Sequence, residues 1–87
     1  MLTIRYSDYF IRSARKLSRK QHTKLAALLE LLSINPFHPK LQTKHLTGKL
    51  SGLYSFRIAR EWRVIFKFLS SQEIQLIDVG HRKDIYR

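Results

Sequence analysis

Hydrophobic positions recur with a period of two near both ends of the chain and with a helical period between them. Leu2, Ile4 and Tyr6 alternate with Thr3 and Arg5, the pattern of a half-buried strand. Ser7 then offers an N-cap oxygen, and Asp8 sits in the first turn, where the helix dipole favours negative charge. Phe10, Ala14 and Leu17 follow at i, i+4 and i+7, which predicts a helix of about three turns. Ser18 and Gln21 spell a capping box for a second helix, whose apolar stripe is Leu25, Leu28, Leu29 and Leu32. Asn35-Pro36 ends it, because the proline ring disfavours helical backbone at the preceding residue. Two capped helices with a minimal joint predict a helical hairpin.

Residues 37–52 lose the pattern; Pro39, Gly48 and Gly52 punctuate a basic loop there. Alternation then returns. Tyr54, Phe56 and Ile58 alternate with Ser55, Arg57 and Ala59, and Trp62, Val64, Phe66 and Phe68 alternate with Arg63, Ile65 and Lys67. Residues 59–61 are short enough for a hairpin, Ser70-Ser71-Gln72 is a second turn, and 73–79 is a last, more apolar strand. The predicted fold class is α+β in the order β-α-α-β-β-β. It has an N-terminal strand, a helical hairpin and a three-stranded antiparallel meander, with the helices on one face of the sheet. The large apolar residues of the two middle strands are all even-numbered, so their odd positions face away from the helices together. That places Arg57, Arg63 and Lys67 on one open face. Two readings stay open: a phosphate-sized cation cluster, or solvated positions on the outside of a two-layer protein.

Length and charge narrow the options. Eighty-seven residues make one domain, 1–87, with a modest core and no space for a separate cofactor domain. Cysteine is absent, which excludes disulfides, thiolate metal sites and cysteine nucleophiles. The longest apolar run, 25–32, is broken by Glu30 and is far short of the roughly 20 residues that cross a bilayer. Residues 1–6 lack the layout of a secretion signal, so a cytoplasmic protein with no membrane partner is expected. Seventeen Lys and Arg against six Asp and Glu leave a net charge of +11. Such an excess repels itself in a compact body and implies a polyanionic partner.

Four histidines are present, His22, His38, His45 and His81, with no spacing that suits a metal site, so neither a metal nor any other cofactor is expected. No G-x-S-x-G motif supports serine-triad chemistry. Gly48-Lys49-Leu50-Ser51-Gly52 lacks the spacing of a phosphate loop and reads as a turn entering a strand. His45 lies in the basic loop just before the strands. His81 follows Gly80 and stands beside Arg82 and Lys83, a setting that suits a general base.

The spaced elements His45-Leu46-Thr47-Gly48, Gly52-Leu53-Tyr54-Ser55-Phe56-Arg57-Ile58, Glu61-Trp62-Arg63-Val64-Ile65-Phe66 and Val79-Gly80-His81-Arg82-Lys83-Asp84-Ile85-Tyr86 together resemble the RelE/ParE toxin superfamily. Within it the chain looks closest to the mRNA-cleaving RelE and YafQ-like branch, and the resemblance spans nearly the whole sequence. It implies the toxin of a type II toxin–antitoxin pair. Such toxins are ribosome-dependent, metal-free endoribonucleases that cut mRNA in the A site through attack of its own 2′-OH, leaving a 2′,3′-cyclic phosphate. The implied partners are a cognate antitoxin, the ribosome with its rRNA, and mRNA.

By the same resemblance, Arg63 matches the arginine that neutralises the scissile phosphate, and Arg57 a basic or histidine position on the adjacent strand. His81 matches a C-terminal histidine acting as general acid or base, and Arg82 a C-terminal arginine. Tyr86 matches a terminal aromatic that stacks on or orients a base, His45 a loop histidine, and Glu61 an acidic residue before the tryptophan. This reading requires Arg63 and His81 to share one hollow. Plainer roles stand beside it: Glu61 as a turn residue paired with Arg60 or Arg63, Trp62 as core, Tyr86 as a packing anchor and His45 as surface. Two other functions compete: a ParE-like gyrase-binding toxin without nuclease activity, and a basic RNA-binding module.

Overall fold

A computed structural model describes residues 1–86. The elements run β1 (Thr3–Tyr6), α1 (Asp8–Ala14), α2 (Arg19–Ile34), β2 (Lys44–His45), β3 (Tyr54–Ala59), β4 (Trp62–Ser70), β5 (Glu73–His81) and α3 (Arg82–Ile85), with short 3₁₀ turns at Pro39–Leu41 and Gly48–Leu50. The fold is α+β, as the hydrophobic pattern predicts. The sheet has five strands in the order β1-β5-β4-β3-β2. The β3-β4-β5 meander is antiparallel, whereas β1 pairs with β5 in parallel and makes the sheet mixed.

Local chemistry explains the boundaries. Ser7 caps α1 by accepting from the Phe10 amide, and the Ser18–Gln21 capping box opens α2 with both reciprocal bonds. Asn35 closes α2 in an extended conformation ahead of Pro36. Helix α1 is shorter than the spacing of Phe10, Ala14 and Leu17 predicts. Its end tightens into bonds from Lys16 N to Ser13 O and from Leu17 N to Ala14 O, and this turn drops Leu17 into the core from beyond the helix.

The core lies between the two long helices and the even-numbered face of β3 and β4: Phe10, Leu17, Leu25, Leu28 and Leu32 meet Phe56, Ile58, Val64 and Phe66. On β5 the parity changes within the strand. Leu76 pairs with Phe66 but Asp78 pairs with Ile65, so Ile77 is an extra, bulged residue. Ser7 holds this bulge, its hydroxyl donating to Ile77 O at 3.1 Å. Before the bulge Ile74 and Leu76 face the core; after it Val79 does. The shift carries Gly80 to the open face opposite Arg63 and His81 to the helix side opposite Trp62.

The open face is not bare. Ile65 and Ser55 are buried although both are odd-numbered. The chain turns back over this face after β5, and an added Cβ at Gly80 would stand 3.9 Å from buried Ile85. Helices α1 and α2 therefore share one face of the sheet, and the four-residue α3 caps the other.

Candidate functional site

Four elements converge on the open face. β3 presents Ser55 and Arg57, β4 presents Arg63, β2 adds Lys44 opposite Ser55, and the C-terminal turn brings Arg82 and Tyr86. With Gln42 they line a hollow of about 260 Å³. Arg57 and Arg63 are direct cross-strand partners. Like charges in that position repel and cost stability, so the local backbone has to hold them. The β3–β4 turn does so with its carbonyls: Arg63 Nη1 donates to Ala59 O, Arg60 O and Trp62 O, each at 3.1 Å. Arg57 Nη1 donates to Gln42 Oε1 at 2.7 Å and Nη2 to Arg60 O at 3.4 Å. Its buried Nε has no hydrogen-bond partner among the described residues.

Arg82 is positioned twice by one residue. Its amide donates to Glu61 O at 2.8 Å, and its Nε stands 2.9 Å from Glu61 Oε2. Tyr86, 38% exposed, donates its hydroxyl to Ser55 Oγ at 3.1 Å and so closes one wall. Ser55 itself is 2% exposed, which makes it a fixed anchor for the phenol. Among the described residues the result is three guanidiniums, one ammonium and two hydroxyls around one opening, with the Glu61 carboxylate behind Arg82. Guanidinium forks match the oxygen spacing of phosphate, and arginine keeps its charge in any such setting.

The structure separates the sequence-predicted residues into two groups. Arg57, Arg63, Arg82 and Tyr86 come together, with Glu61 supporting Arg82. The shared hollow of Arg63 and His81 expected from the sequence does not form. The Ile77 bulge turns His81 to the helix side, where it meets the Trp62 ring edge-on at 5.7 Å between centroids. His81 lines a different hollow there with Tyr9, Lys16 and Asp84. Its Nδ1 accepts from the Lys83 amide as the cap of α3, and its Nε2 is 4.0 Å from Glu61 Oε2. His45 pairs with Tyr54 on the helix side and packs against that ring at 4.9 Å between centroids. Lys67 shares the open face but lies outside the hollow.

Lys44, Gln42 and Ser55 join the hollow without having been singled out. Lys44 pairs with Ser55 and therefore belongs to the odd face of β3, but a two-residue strand carries no alternation by which the sequence could reveal it. Ser55 sits at an odd position in a readable strand, and its parity was the available signal.

Comparisons agree with this architecture. The chain aligns over its full length with YafQ from E. coli strain BL21(DE3), covering all of that chain, at 24% identity and a TM-score of 0.79. The archaeal RelE–RelB complex from Pyrococcus horikoshii OT3 matches over 95% of this chain and 97% of that one, at 16% identity and a TM-score of 0.77. The YoeB–YefM complex from Staphylococcus aureus matches over 93% and 97%, at 21% identity and a TM-score of 0.74. No curated protein sequence matches the chain. The family model for the RelE-like toxin of the type II toxin–antitoxin system HigB matches residues 5–80, nearly the whole sequence. The chain therefore belongs to the HigB-like toxins, within the RelE/ParE-like superfamily.

Proposed function

We propose that the arginine hollow is the active site of an endoribonuclease that cuts mRNA on the ribosome, in the A site and without a metal ion. The observation that carries this reading is the Arg57–Arg63 pair, two cations held directly opposite each other with Arg82 and Lys44 beside them. A fold that keeps such a pair against its own repulsion has a use for an anion there. In the reaction the 2′-oxygen attacks the adjacent phosphorus, the P–O5′ bond breaks, and a 2′,3′-cyclic phosphate forms. Arg57, Arg63 and Arg82 balance the charge that builds on the phosphoryl oxygens. Arginine does not give up its protons, so O5′ takes its proton from the Lys44 ammonium or the Tyr86 phenol, while the 2′-OH gives its proton to water in the open hollow, which then reprotonates the donor. The sequence-based version of this reading, which required Arg63 and His81 in one hollow, fails. The scheme proposed here stands on the arginine hollow alone, and His81 and His45 take no part in it because neither lines that hollow.

A protein antitoxin is the natural partner, as in the toxin–antitoxin complexes among the matched structures. Its acidic surface would screen the cations around the hollow. A gyrase-binding toxin would need no such convergence of cations with Tyr86. Primer extension on a reporter message after induction tests the reading. Stops inside codons are expected with the wild type and not with Arg63→Ala. Intact message with gyrase-dependent DNA breaks would overturn it, as would cleavage unaffected by Arg63→Ala.

A further inference from the structure

Beside the arginine hollow lies a larger one, of about 470 Å³, that the proposed reaction does not use. Lys24 of α2, Lys40 of the first 3₁₀ turn and Arg60 of the β3–β4 turn line it, with Ile58 and Ala59 between them. No acidic side chain lines it among the described residues. Arg57 and Gln42 belong to both hollows and form the wall between them. Gln42 Oε1 already accepts from Arg57, which leaves the amide's NH₂ to donate outward. Gln42 also holds a left-handed backbone, φ 49° and ψ 47°, which side chains rarely adopt. Backbone outliers of this kind gather where a structure fixes a ligand-facing group.

We infer that this second hollow is a phosphate subsite for the nucleotide next to the one cut, so that one RNA strand crosses Arg57 with a phosphate on either side. The inference rests on the RNA-cleaving reading of the first hollow. Every charged side chain on its wall among the described residues is a cation, so the ligand must be rich in acceptors and negatively charged. Two donor hollows joined through one arginine suit a chain whose anions repeat on a short flexible backbone. Exposed lysines grip phosphate as point charges, and Ile58 and Ala59 offer nothing that reads a base. The subsite is therefore indifferent to sequence.

The test uses the full chain and 2′-O-methyl RNA oligomers, which lack the attacking hydroxyl and cannot be cut. One oligomer carries a single internucleotide phosphate and the other several; a glutamate peptide is the third probe. Affinities are measured over a salt series for the wild type, Lys24→Gln/Lys40→Gln and Arg63→Gln. The double variant should bind the longer oligomer about tenfold more weakly, with a salt slope shallower by roughly 0.7, the loss of one neutralised phosphate on a single strand. Its affinity for the one-phosphate oligomer should stay unchanged. Equal weakening for both oligomers, or none for either, overturns the subsite. Weakening confined to the glutamate peptide also overturns it, in favour of an acidic protein segment. Arg63→Gln binding both oligomers like the wild type would remove the first hollow's ligand, and the subsite with it.

Discussion

At the scale of single residues, the hollow trades stability for charge. Arg57 faces Arg63 across two strands and buries an Nε that has no partner among the described residues. Repulsion between directly opposed charges and an orphaned buried donor each cost free energy. Arg57→Gln relieves both, so it should raise the melting temperature, by about 0.5–1 kcal/mol of added stability, while lowering RNA cleavage. Thermal unfolding and cleavage assays on the same preparation check it; a lower melting temperature would show that the pair is not under strain. Arg63→Ala should lower cleavage by about 10²–10³-fold, the usual cost of removing one preorganised charge-stabilising donor. Single-turnover cleavage measures that loss, and a fall below tenfold would place the phosphate elsewhere. For His81 the geometry revises the expectation from the sequence. It caps α3 and packs on Trp62, so His81→Ala should cost about 1 kcal/mol of stability and keep cleavage within about tenfold. A folded His81→Ala protein with cleavage reduced by 10² or more would return the imidazole to the chemistry.

At the scale of elements, the parts that were legible in the sequence are those with a repeated pattern or a chemically marked end. Ser7, the Ser18–Gln21 box and Asn35-Pro36 set the helices because each satisfies or removes a backbone hydrogen bond at a fixed position. The even-numbered apolar residues of β3 and β4 fixed the facing of Arg57 and Arg63. Strand β2 and helix α3 were illegible because two and four residues hold too few periods to read. The parallel pairing of β1 with β5 joins the two ends of the chain, which no local pattern records. The Ile77 bulge matters most for the site. A strict alternation through 73–81 puts position 81 on the face opposite to the one it takes, and one extra residue reverses His81 and Gly80. The C-terminal element offers its own test. Ile85 is buried and anchors the turn that carries Tyr86. Ile85→Ala should cost about 2–3 kcal/mol by leaving a cavity, and cleavage should fall with it as Tyr86 loses its place against Ser55. Tyr86→Phe keeps the packing, so cleavage that drops without a change in melting temperature would isolate the hydroxyl; both measurements unchanged would reduce Tyr86 to an anchor.

At the scale of the whole molecule, the charge excess makes stability and RNA binding respond to salt in opposite directions. A net +11 is spread over a body of 31 × 29 × 26 Å, and the screening length is about 10 Å at 0.1 M salt. Each surface cation therefore feels several others at low ionic strength. Among the described residues, Arg5–Glu73 and Arg82–Glu61 are the arginine–carboxylate pairs, which leaves most of the excess uncompensated. Raising salt from about 50 to about 200 mM should screen that repulsion and raise the melting temperature, while RNA affinity falls log-linearly as counterion release loses its driving force. Added uncleavable RNA should raise the melting temperature at low salt and progressively less as salt increases, since the same phosphates supply the screening. A melting temperature that falls with salt would mean that these two ion pairs outweigh the self-repulsion. The folded state would then need no polyanion to balance it, and the charge could not be assigned to RNA.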